Sequence, residues 1–151
     1  MCFETLFRKP NGKPVIYQGD TLYIADYIDI NKKCSGYVKL ISTSSEYKQG
    51  VALYADENLL INNIKGKKMV LWEEHFNNGI AFSAESSKGY LIVNNIWDIG
   101  NGVTQSGHNG ATMKKEIIAP NHFRYYCNDG HPDANFDDII FDVIINPNQD
   151  S

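Results

Sequence analysis

Residues 21–30 read TLYIADYIDI, and their period decides the fold class. In an extended segment Leu22, Ile24, Ile28 and Ile30 fall on one face, and Tyr23, Ala25, Tyr27 and Asp29 on the other. Successive side chains of a strand point to opposite sides, so this alternation is that of a half-buried strand. Asp26 breaks the pattern by placing a carboxylate among the apolar residues, which marks an edge or a bulge. The same period recurs in GYVKLIS, GVALYA, NLLINNI, KMVLW, GIAFSAE, GYLIVNNIW, TMKKEII, HFRYYC and DIIFDVII. These segments are rich in Val, Ile, Tyr and Phe, the residue types that fit a pleated surface.

Between them stand turn signals: PNGKP, QGD, NKKCSG, KQG, ADEN, KGKK, HFNNG and SSKG. Their spacing predicts an all-β chain, a single-domain antiparallel β-sandwich of about 8–10 strands covering residues 1–151, the last strand running from about Asp138 to Ile145. Helical periodicity is nowhere sustained, although DENLLINNIKGKKMVLWEEHF has room for one short helix. The longest irregular stretch is DIGNGVTQSGHNGAT, residues 98–112.

A chain of 151 residues with 42% hydrophobic and 21% charged residues has the composition of an ordinary soluble globular domain. A net charge of −4 argues against nucleic acid, whose phosphates call for clustered Lys and Arg. The nearest basic cluster, Lys65, Lys67 and Lys68, reads as a turn tip. No apolar run approaches the roughly 18 residues of a membrane span, and MCFETLFRKPNGKP lacks signal-peptide architecture. The expected location is cytoplasmic, or exported without a classical signal peptide. Cys2, Cys34 and Cys127 form no C-x-x-C pair, and free thiols are the expected state.

Several chemistries fail on spacing. GVTQSGH has the outer glycines of a P-loop but His108 in place of the lysine. No G-x-S-x-G elbow is present. Glu73 and Glu74 would point to opposite faces of a strand, and can share a substrate only in a helix or loop. His122, Cys127 and His131 match no familiar zinc pattern. Nothing in these residues supports an enzyme.

One segment does suggest chemistry. Residues 128–138, NDGHPDANFDD, hold four aspartates and two asparagines and then enter an apolar run. Asp133, Asn135 and Asp137 stand at alternate positions, followed by Asp138 and preceded by Asn128, Asp129 and Gly130. Calcium takes 6–8 oxygen ligands from carboxylates, amides and backbone carbonyls, and a curled loop can deliver them to one point. An EF-hand is excluded: counted from Asp133, its glycine position is Asp138 and its glutamate position is Ile144. A solvated loop of Asx turns and an acidic recognition patch are the competing readings.

The run NDGHPDANFDDIIFDVIINP resembles the C-terminal calcium loop of the small bacterial fucose- and mannose-binding lectins. The likeness covers about twenty residues of the 151. Pro132 is additional, Asn135 and Asp137 exchange the lectins' Asp and Asn, and this chain continues with NQDS where the lectins end. The resemblance implies Asp129, Asp133, Asn135, Asp137 and Asp138 as Ca2+ ligands, with Asn128 and His131 beside the bound ligand. It further implies a calcium-dependent, lectin-like protein that binds carbohydrate. The alternative is a protein-interaction module, of inhibitor, immunity or structural type, whose acidic loop meets a protein partner. Either allows a homo-oligomer.

Overall fold

The computed structural model describes residues 15–17, 20–23, 25–44, 48–76, 78–98, 104–105, 112–128 and 138–147. In chain order these form β1 (Val15–Tyr17), β2 (Asp20–Tyr23), β3 (Asp26–Asp29), β4 (Lys33–Thr43), β5 (Lys48–Ile61), β6 (Ile64–Trp72), α1 (Glu73–Phe76), β7 (Ile80–Glu85), β8 (Tyr90–Asp98), β9 (Thr104–Gln105), β10 (Thr112–Ala119), β11 (His122–Asn128) and β12 (Ile139–Pro147). The all-β class holds. The strands belong to one antiparallel sheet curled into a half-barrel, where the sequence suggested a sandwich. Its order is β1-β2-β10-β11-β12-β4-β7-β5-β8-β3, with β6 on β5 and β9 on β8.

The quoted stretch 21–30 is two strands. β2 pairs with β10 and β3 with β8, so the chain crosses from one end of the sheet order to the other between Tyr23 and Asp26. That crossing draws β10 and β8 into contact and rolls the sheet. Ile28 and Ile30 are buried and Tyr27 and Asp29 exposed, as their alternation requires. Asp26 faces inward with them, 5% exposed. Its Oδ2 accepts the Tyr125 hydroxyl of β11 at 2.6 Å and the Lys115 ammonium of β10 at 2.8 Å. Lys115 also lies over the Phe123 ring, 4.4 Å from its centroid.

The inner face carries the core: Val38, Leu53, Phe82, Val93, Phe141 and Val143 among others. β4 alternates buried and exposed along Cys34 to Val38. Two breaks are bridged by the backbone: Ile30 N–H donates to Gly89 O at 2.9 Å, and Ser86 N–H donates to Lys32 O at 2.7 Å. The ladder thereby runs on from β3 into β4 and from β7 into β8.

Several turn signals lie inside strands. NKKCSG leads through β4 because Phe82 of β7 covers Gly36; a Cβ there would sit 2.6 Å from the ring's Cζ. KQG lies in β5, where a Cβ on Gly50 would meet Trp72 Cε3 at 2.9 Å. ADEN is a bulge in β5 between Tyr54 and Leu59. The hairpin between β5 and β6 turns on Asn62 and Asn63, with φ of 51° and 66°, the left-handed pair that a two-residue hairpin needs. Lys65, Lys67 and Lys68 therefore lie along β6 and not at a turn tip. The stretch DENLLINNIKGKKMVLWEEHF, which has room for one short helix, holds α1 at its end, and Phe76 of α1 is fully buried.

Replacing Asp26 by Ala should cost about 3 kcal/mol, because it leaves a half-buried ammonium and a buried phenol without their acceptor. Urea denaturation of Asp26→Ala beside Asp29→Ala, an exposed site expected to stay within about 0.5 kcal/mol, checks this. Equal losses would remove Asp26 from the account of closure.

Candidate metal site at the β11–β12 connection

β11 and β12 pair antiparallel from His122↔Ile144 to Cys127↔Ile139, and the acidic segment connects them. Its two ends meet: Asp138 N–H donates to Cys127 O at 3.0 Å, and Ser44 N–H donates to Asp138 O at 3.2 Å. Asn128 and Asp138 are thus held side by side at the base of the connection. Asn128 is 1% exposed and Asp138 5%. Burial pushes the Cys127 thiol well above its ordinary range, and the Asp138 charge adds to the effect. Asp129, His131, Asp133, Asn135 and Asp137 lie outside the described residues.

The Asn128 backbone carbonyl accepts Asn95 Nδ2 of β8 at 3.2 Å. Its side-chain Oδ1 is buried and finds no hydrogen-bond partner among the described residues. A buried amide oxygen without a donor costs roughly 1–3 kcal/mol, and a cation or an ordered water offsets that cost. Oxygen from an amide and from a neighbouring carboxylate is a donor set suited to a hard cation such as Ca2+. Among the described residues alone, no group of three or more His, Cys, Asp or Glu side chains could hold a metal. An ion here needs donors from the segment 129–137.

The zinc pairing of His122 with Cys127 is ruled out by strand period. Cys127 points into the core with no exposure, and His122 lies on the outer face. Cys34 and Cys127 are buried free thiols, and burial moves the Cys34 thiol up to about 11. Cys2 lies outside the described residues. Glu73 and Glu74 do not work together either. Glu73 accepts Gln49 N–H at 3.0 Å, and Glu74 pairs with Lys48 at 2.9 Å.

One polar cluster on the outer face has no counterpart in the sequence reading. Asp142, in the middle of the apolar β12, is 2% exposed beneath its neighbours. Arg124 Nε donates to its Oδ1 at 2.7 Å, and His122 Nε2 lies 2.7 Å from its Oδ2. The cross-strand register extends the row to Glu116 on one side and Lys39 on the other, so charge alternates over four strands. A lone aspartate inside IIFDVII was the available signal. Asn95 had none, since it reaches Asn128 across 33 residues.

No family model, curated protein or solved structure matches this chain in comparisons with known proteins.

Burial pushes the Asp142 carboxyl up, but hydrogen bonds from Arg124 and His122 outweigh it and hold the group below its ordinary 3.8. A carboxyl depressed in the folded state stabilises the fold above its unfolded value, and that contribution is lost as pH falls through the folded value. Between about pH 6 and about pH 3 the wild type should therefore lose more urea resistance than Asp142→Asn. Parallel losses in the two proteins would contradict this.

Proposed function

We propose that this chain is a non-enzymatic calcium-binding β-protein that holds Ca2+ in its β11–β12 connection and uses the loaded loop to recognise carbohydrate. The observation that carries the reading is the pinned base of the connection, where Asn128, whose buried Oδ1 has no hydrogen-bond partner among the described residues, stands across from Asp138. Asp133, Asn135 and Asp137 would complete an oxygen shell for which the base supplies the first donors. Bound calcium would neutralise carboxylates that otherwise repel one another. Vicinal sugar hydroxyls would then replace water on the ion.

An acidic patch for a basic protein partner is the second reading. Asp138 favours the ion over that patch, because a carboxylate only 5% exposed cannot meet a partner's lysine. The likeness to the lectin loop favours carbohydrate over a purely structural ion.

Thermal melts in EDTA and in millimolar calcium test the ion first. A ligand that binds only the native state adds RT ln(1 + [L]/Kd), about 2.7 kcal/mol at a hundredfold excess over Kd. The expected result is an upward shift in Tm that disappears in Asp133→Ala/Asp137→Ala. Identical wild-type melts in the two buffers would sink the proposal. With calcium established, glycan-array binding that EDTA reverses is expected for the sugar step, and binding that persists in EDTA would refute it.

A further inference from the structure

Among the described residues β6 hydrogen-bonds only to β5, and within that set its far side is an open sheet edge nine residues long. The register Ile61↔Ile64, Leu53↔Met69 and Val51↔Leu71 puts Ile64, Met69 and Leu71 on the face that continues the core. With Ile61 and Ile80 they line a groove of about 300 Å³. Its floor, Ile61 and Leu71, is buried, while Ile64 at its rim is 62% exposed. Among the described residues no carboxylate lines it. The opposite face of the same strand carries Lys65 and Lys68, which pair in register with Leu60 and Tyr54, and Lys67 sits at the bulge between them. All three lysines are exposed.

Lysines on an edge strand discourage edge-to-edge aggregation, which accounts for the charges. It does not account for an apolar groove left open along the same edge. Along Ile64–Met69 the edge is apolar on one face and basic on the other, with Val70 and Trp72 following the lysines on the second face, and this matches one kind of incoming strand. Side chains alternate along a strand, so a segment alternating apolar and acidic residues places each set against its complement. A second copy joined through β6 would set lysine against lysine, which opposes pairing. The chain's first fourteen residues, with Arg8, Lys9 and Lys13 against Glu4, meet the same objection.

We propose that β6 is a docking edge for an extended segment of a partner protein in which apolar and acidic side chains alternate. The segment adds to the sheet as one more strand. Its apolar side chains cover Ile64 and Met69, and its carboxylates pair with Lys65 and Lys68.

The test uses the full chain and two fluorescent synthetic peptides as long as β6, one alternating valine with glutamate and one alternating valine with lysine. The glutamate peptide should bind about tenfold more tightly than the lysine peptide and slow amide exchange along β6. Lys65→Glu/Lys68→Glu, two exposed changes whose folding an unaltered melt confirms, should reverse the preference. Equal binding of both peptides, binding of neither, or protection located elsewhere would overturn the proposal. So would capture of the wild type by anionic phosphatidylglycerol vesicles with no preference between the peptides.

Discussion

The carboxylate of Asp26 holds the two ends of the sheet order together, and the shape of the molecule depends on it. β2 and β3 are consecutive in the chain yet pair with β10 and β8, and among the described residues no strand completes the ladder between those two neighbours. Side chains do the joining instead. Asp26 reaches from β3 to Tyr125 on β11 and Lys115 on β10, and Asn95 reaches from β8 to the Asn128 carbonyl on β11. Desolvating a carboxylate and an ammonium is expensive, and an apolar contact would hold the seam as firmly. What it would not do is choose a position along β11. Two donors converging on one oxygen set that position, whereas hydrophobic contact is non-directional.

Much of this was legible as period two, and the limits of legibility follow from the same rule. Ile28 and Ile30 against Tyr27 and Asp29, and Cys34 to Val38 in β4, alternate as any half-buried strand would. Alternation is identical for a sandwich and for a curled sheet, however, and only the crossing between β2 and β3 separates them. Asp26 announced an irregularity without naming its partners, because Tyr125 lies 99 residues away. Gly36 and Gly50 read as turns since glycine is the usual turn residue. In the fold they are places where an aromatic ring from another strand approaches the backbone, and that approach has no local sequence signature.

The site divides along the same line. Composition identifies an oxygen-rich connection but does not say whether its ends meet. The Cys127–Asp138 backbone bond shows that they do, and it follows from the register of β11 on β12. Register also separates His122 from Cys127, which proximity in sequence had joined. The Asn128 amide is the part no pattern could supply. Its backbone oxygen is committed to closing the seam through Asn95, while its side-chain oxygen has no partner among the described residues. The fold thus ties the base of the acidic connection to the seam itself.

Local sign, not net charge, governs what each surface can meet. The connection after β11 is acidic and the β6 edge is basic, in a chain whose net charge is −4. Along the sheet order, β4, β7 and β5 stand between β12 and β6. At about 4.8 Å per strand the path spans roughly 19 Å, against a Debye length of about 8 Å at physiological ionic strength. Measured along the sheet, each patch is largely screened from the other, so a cation drawn to one and a carboxylate drawn to the other act as independent events. The overall acidity that argues against a phosphate-rich partner for the whole molecule therefore has little bearing on β6, where three lysines and an open apolar groove set the local preference.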